Sequence, residues 1–174
     1  RTYFTSTAPV GGGDNTVTGG GGSDSIYFTT STGSNVVDGG GGNDVILIGE
    51  GGNDAVNGGD GFDTINYDRA PGPVAVNLAA GTATGSGVDT LVGLEGVRGS
   101  RFADTLTGTD GDNELQGREG SDSIVGGGGI GYARHCAAEG SDLAHEMRLA
   151  RAANAAVARH MRHAIKAQSN QCRA

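Results

Sequence analysis

The sequence predicts an all-β solenoid with a C-terminal α-helical tail. Three observations point there: a nine-residue motif that recurs in about ten copies, 35 glycines in 174 residues, and an abrupt change of composition near residue 132. Nonapeptides such as "GGGGNDVIL" at 39–47, "GEGGNDAVN" at 49–57 and "GGDGFDTIN" at 58–66 keep an acidic residue at the sixth place and an apolar one at the eighth. One such unit cannot bury its own apolar face, so copies have to stack. Aromatic residues make up only 5% of the chain, too few for an ordinary globular core, and three prolines with no every-third glycine exclude collagen.

Residues 1–66 form a first repeat array. Besides the blocks above it holds "GGGGSDSIY" at 19–27 and weaker copies, "VGGGDNTVT" at 10–18 and "TSTGSNVVD" at 30–38. Glycine tolerates positive φ and close backbone approach, so the first six residues of a block can curl into a turn with carbonyl oxygens facing inward. The last three make a short strand whose middle side chain enters a narrow core. That selects Ile26, Val37, Ile46, Val56 and Ile65, and further on Leu106, Leu115 and Ile124.

Residues 67–98 interrupt the motif. Alternation in "VAVNL" and the turn signals "PGP", "AAG" and "GSG" predict strands. We expect intervening β coils of the same solenoid in preference to a separate β element. Residues 99–131 are a second array, "GSRFADTLT" at 99, "GTDGDNELQ" at 108 and "GREGSDSIV" at 117, fading into "GGGGIGYAR" at 126.

Residues 132–174 differ in every respect. Residues 1–133 carry 17 acidic and 5 basic residues, a net of −12, whereas residues 134–174 carry 3 and 7, a net of +4. All four histidines and both cysteines fall between His135 and Cys172. A helix is expected from Ser141, as N-cap, to Gln168, with Leu143, Met147, Ala150, Val157, Met161 and Ala164 on one stripe.

The acidic part argues against a nucleic-acid partner and for a cation. Carboxylates and backbone carbonyls, with no histidine or cysteine in residues 1–133, form a hard-cation donor set. Calcium, with six to eight oxygen ligands in flexible geometry, suits it better than magnesium or zinc.

These blocks resemble the RTX (haemolysin-type) calcium-binding nonapeptide, GGxGxDxUx, across residues 10–131. The resemblance implies a right-handed parallel β-roll in which two nonapeptides make one coil and loops n and n+2 share a calcium ion. Alternate repeats then form two ladders, one of Asp24, Asp44 and Asp63 and one of Asn15, Asn35 and Asp54. By the family's pattern, carbonyls at positions two and four of the earlier loop and one and three of the later loop complete each shell. The first site takes Gly20, Gly22, Gly39 and Gly41 with Asp24 and Asp44. The next takes Gly40, Gly42, Gly58 and Asp60 with Asp44 and Asp63. The ladder of Asn35 and Asp54 should bind more weakly, since asparagine offers an oxygen without charge. In the second array Asp104 stacks with Asp122 and one good site is expected, from Ser100, Phe102, Asp104, Gly117, Glu119 and Asp122, with Phe102 in place of a turn glycine; Asn113 would stack on Gly131, which has no side chain.

The resemblance also implies a secreted, extracellular bacterial protein exported by type I secretion machinery, and a β-roll that folds on calcium after export. The tail then reads as a cap for the open end, a secretion segment, or an out-of-frame or fused sequence, with cap or artefact ahead of signal. The start, "RTYFTSTAPV", lacks an initiator methionine and reads as a piece of something longer. No apolar run approaches the roughly 18 residues of a membrane span.

No catalytic constellation is expected. "GGGGIG" at 126–131 satisfies GxGxxG but sits in a degraded repeat, and His145-Glu146 is followed by Leu149 where a zinc-protease helix needs histidine. His160 and His163 share a helical face but read as solvated side chains, and Cys136 beside His135 has no orienting partner. The alternatives are the calcium-binding part of a secreted protease, lipase or epimerase whose catalytic domain lies elsewhere, or an adhesion or surface-layer module. Ice binding is disfavoured, because Gly21, Thr32, Gly41, Gly51 and Asp60 at the third position make no threonine ladder.

Overall fold

Backbone propensity in these blocks favours short extended segments: a β-branched or leucine residue at the eighth place, flanked by turns no helix could accommodate. The structure, a computed structural model, describes residues 3–6, 13–28, 32–128 and 132–135, for 3–6 and 132–135 as backbone only. It is a parallel β-solenoid with no helix among the described residues. The expected helix 141–168 lies outside them.

The first array alternates between two sheets. Strands β1 (Tyr3–Ser6), β3 (Ser25–Phe28), β5 (Val45–Leu47) and β7 (Thr64–Asn66) lie side by side in one sheet, and β2 (Thr16–Gly21), β4 (Val36–Gly41) and β6 (Ala55–Asp60) in the other. Register follows the repeat: Ile26 pairs with Ile46 and Ile46 with Ile65, while Val17 pairs with Val37 and Val37 with Val56. Like residue therefore stacks on like residue, which turns a sequence period into continuous ladders. All eight core positions named above are buried.

The second array resumes the pattern. In the first sheet β11 (Gly96–Arg98), at the end of the insert, sits directly beside β7, followed by β13 (Glu114–Arg118) of the array and by β15 (Tyr132–His135), which carries the sheet past residue 131 into the segment read as tail. In the second sheet β12 (Thr105–Thr107) and β14 (Ser123–Val125) pair in parallel.

Residues 67–98 behave differently from a plain coil. They contribute β8 (Ala75–Asn77), β9 (Thr82–Thr84) and β10 (Val88–Val92) to the second sheet, in the order β6-β10-β9-β8-β12. The chain reaches the far position first and works back: β8 is parallel to β12, β10 is parallel to β6, and β9 is antiparallel to both neighbours. Glycines with positive φ, Gly81 at +66° and Gly85 and Gly87 at +111° and +108°, make the two reversals. Hydrogen bonding thus runs unbroken from one array to the other, through a meander that alternation alone did not distinguish from parallel coils. Tyr67, Val74, Leu78 and Leu94 from this segment join the repeat residues in one apolar cluster.

Candidate metal centre

The turns are built from the second and fourth residues of each block. Gly20 and Gly22, Gly40 and Gly42, and Gly59 and Gly61 all have φ between +95° and +139°. In the later loops stacking also leaves no room for a side chain: a Cβ on Gly40 would run into the carbonyl oxygen of Gly20, and one on Gly61 into that of Gly42. The carbonyls of an earlier loop therefore point at the loop above it. From the later loop, the carbonyls of Gly41 and Asp60 turn back and accept from the amides of Gly22 (2.5 Å) and Gly42 (2.8 Å). Carbonyls from both sides line the gap between stacked turns.

The sixth-position carboxylates line the same gap. The Asp24 amide donates to Asp44 Oδ1 at 2.8 Å, and the Asp44 amide to Asp63 Oδ1 at 2.7 Å. Each bond uses one oxygen of the later carboxylate. The second oxygens of Asp44, Asp54 and Asp63 are buried and have no hydrogen-bond partner, an arrangement that costs several kcal/mol for an ionised group unless a cation is near. These oxygens do not point into empty apolar space. A Cβ on Gly39 would meet both Asp44 Oδ2 and the Gly58 carbonyl oxygen, and one on Gly19 would meet the Gly39 carbonyl oxygen and, at 2.8 Å, Asp24 Oδ2. Carboxylate and carbonyl converge above the first glycine of each block. No cluster of three or more His, Cys, Asp or Glu side chains occurs among the described residues, so a cation here has to draw on backbone oxygens. Two carboxylates and several carbonyls fit calcium.

Burial is the leading cause of electrostatic strain in this ladder. It pushes the Asp44 and Asp63 carboxyls above the ordinary carboxylate range, and that of Asp54 in the second ladder likewise, opposed by the backbone amides they accept from. For Asp63 the neighbouring charges of Asp44, Glu95 and Asp60 push the same way.

The second ladder satisfies itself over its lower part. Asn15 Nδ2 donates to the Gly13 carbonyl and to Asn35 Oδ1, both at 2.8 Å. Asn35 Nδ2 donates to the Gly33 carbonyl at 2.9 Å and to Asp54 Oδ1 at 2.7 Å. The asparagine amide occupies the carbonyl and the neighbouring side-chain oxygen that a cation would otherwise bridge. At Asn35 a built-in donor thus takes the place that a cation would need.

The second array brings Asp104 and Asp122 together, with the Asp104 amide donating to Asp122 Oδ1 at 2.9 Å. Its first turn is closed differently. Ser100 donates to Asp104 through its amide (2.6 Å, to Oδ2) and its hydroxyl (2.7 Å, to Oδ1), and the Phe102 amide donates to the same hydroxyl at 3.0 Å. The Val74 amide takes Asp104 Oδ1 as well, at 2.8 Å. Neither Ser100 nor Phe102 has positive φ, so their carbonyls are not presented as those of Gly20 and Gly22 are. Gly117 lies in register, its carbonyl oxygen 3.0 Å from where a Gly99 Cβ would be, while the Glu119 side chain is exposed. Arg118 takes the second position of that loop with φ +72° and ion-pairs with Asp68.

Two acidic residues escaped the reading of the repeats. The Asp54 amide donates to Asp89 Oδ1 at 3.0 Å, so Asp89 extends the second ladder, and the Tyr67 hydroxyl donates to Asp89 Oδ2 at 3.0 Å. Burial, opposed by these two hydrogen bonds, raises the Asp89 carboxyl to about 6. The signal was present: "TGSGVDTLV" at 84–92 has glycine at positions two and four, aspartate at six and leucine at eight. The Asp63 amide donates to Glu95 Oε2 at 3.0 Å, so Glu95 extends the first ladder. It hides in "GLEGVR", a block shortened to six residues.

A family described as the RTX calcium-binding nonapeptide repeat, in four copies, matches residues 10–30, 29–65 and 98–132, just over half of the chain. No curated protein matches it.

Proposed function

The chain belongs to the RTX calcium-binding nonapeptide repeat family, and from that premise we propose that it is a calcium-operated folding module of a secreted bacterial protein, a right-handed β-roll assembled outside the cell. Calcium binding by the repeats is the family's property. The observation that supports folding on calcium is the set of buried carboxylate oxygens on Asp44, Asp54 and Asp63 that lack a partner between stacked turns. Asp24, Asp44 and Asp63 would hold the ions together with the carbonyls of Gly20, Gly22, Gly39, Gly41, Gly40, Gly42, Gly58 and Asp60. Bound calcium supplies the positive charge that lets stacked carboxylates stay ionised in a water-poor gap.

Without it, like charges repel along the ladder and the many glycines make ordering entropically costly, so the arrays stay unfolded. Ligand that binds only the folded state then drives folding by mass action. Extracellular modules of this type bind at roughly 0.1 to 1 mM, which keeps the segment unfolded where calcium is scarce and folds it where calcium is plentiful. Passage through type I secretion machinery as an unfolded chain fits that division. The segment itself acts by binding, and any catalysis belongs to sequence beyond it.

A far-UV circular dichroism titration of the full chain with calcium, and separately with magnesium, tests this. A cooperative gain of β signal with calcium alone is expected. A chain already folded in chelator, or indifferent to both ions, overturns the switch.

A further inference from the structure

We propose that the segment between the arrays completes an additional calcium site, in which Asp63 of the first array and Glu95 of the insert hold one ion with the carbonyl oxygens of Gly93 and Gly59. The site rests on the calcium reading of the arrays, but it lies across the edge of the matched repeats, which resume only at residue 98.

Asp63 is 0% exposed and its Oδ2 has no partner. A carboxylate oxygen so placed points to a ligand. What surrounds it repeats the array geometry one coil further on. A Cβ on Gly58 would meet the Gly93 carbonyl oxygen and, at 2.8 Å, Asp63 Oδ2, just as a Cβ on Gly39 would meet the Gly58 carbonyl and Asp44 Oδ2. Gly93 therefore takes the place of the first glycine of a later loop. The Gly59 carbonyl oxygen and Asn57 Oδ1 each lie 3.3 Å from where a Gly93 Cβ would be, which places further oxygens beside this gap.

The later loop is cut short, from six residues to Gly93, Leu94 and Glu95. Two bonds pin it to the array: the amides of Glu95 and Gly96 both donate to the Asp63 carbonyl, at 3.0 and 2.8 Å. In this shortened turn the acidic position is filled by glutamate, whose extra methylene extends its reach. Its Oε2 accepts from the Asp63 amide, the role Asp63 Oδ1 plays for Asp44. The remaining oxygens are the same chemistry as in the arrays, so the ion is the same class.

The test counts calcium ions bound to the full chain by native mass spectrometry, with isothermal titration calorimetry for affinities. Glu95→Gln keeps a hydrogen-bond acceptor and removes the charge. We expect it to bind one ion fewer than the parent chain, or to weaken one site at least tenfold, while array binding continues. An unchanged number and unchanged affinities overturn the site and leave the array reading standing. A parent chain that takes up no calcium overturns both. Should Glu95→Gln fail to fold, Glu95→Asp keeps the charge and shortens the reach: loss of one ion from a chain with the parent's circular dichroism supports the site, and a full complement refutes it.

Discussion

The turns at 39–44 and 99–104 occupy equivalent places in the same nonapeptide, yet they leave their aspartates in opposite states. In the first, Gly40 and Gly42 adopt positive φ and Asp44 keeps one buried oxygen without a partner. In the second, Ser100 replaces the glycine, its amide and hydroxyl bind Asp104, and no oxygen of that carboxylate is left over. The turn at 108–113 repeats the second arrangement: the Thr109 amide and hydroxyl both donate to Asn113 Oδ1 at 3.3 Å, and the Gly111 amide donates to the hydroxyl at 3.1 Å. A hydroxyl at the second position of a block can therefore consume that block's acid locally, because it reaches the side chain four residues on.

The sharpest way to break this contrast is Asp44→Ala, since Asp44 borders both sites of the first ladder. The calcium concentration at the midpoint of folding should rise by about tenfold or more, as expected when ligand binding supplies the folding free energy. An unaltered midpoint in the circular dichroism titration would mean that the stacking of Asp24, Asp44 and Asp63 does not form the sites.

Acidity should act next. Burial raises the carboxyls of Asp44, Asp54, Asp63 and Asp104, and that of Asp89 to about 6. A group with a raised folded pKa contributes stability that is complete below its unfolded value and lost as pH rises through the folded one. The calcium-free chain should thus gain β structure as pH falls from 7.5 through 6 toward 4, while protons compete with calcium for the same oxygens. Circular dichroism in chelator across that range checks it, and a calcium-free signal that is flat or falls with acid contradicts the burial argument.

The smallest effect is expected for Ser100→Gly. Hydrogen bonds to a charged group are worth about 1.5 to 3 kcal/mol, so the second array should lose that order of stability at low calcium. In exchange Asp104 is released, and calcium uptake should rise by one ion or tighten at one site in calorimetry. If uptake stays the same, the hydroxyl does not block the site.

Much of this was legible in advance. The period and the apolar eighth position followed from residues such as Ile46 and Val56, and the two alternating ladders from the family resemblance, in whose solenoid each residue's neighbour is the same residue one coil away. The insert was harder. "VAVNL" alternates whether its strand runs parallel or antiparallel, and the shortened block at Glu95 breaks the count on which the motif depends. Asp89 was readable in "TGSGVDTLV" but stood alone, out of phase with the arrays on either side.

The sequence by itself determined the stacking unit, the charge of the gap and the oxygen-only donor set, since these are local and repeat. Tertiary structure decided which carboxylates keep a free oxygen. That depends on partners far along the chain: the Tyr67 hydroxyl on Asp89, the Val74 amide on Asp104, the Asn35 amide on Asp54 and the Glu95 carboxylate beside Asp63. Apart from a local hydroxyl such as that of Ser100, hydrogen-bond satisfaction in a buried gap is a property of what the fold brings within 3 Å, which spacing within a nonapeptide does not express.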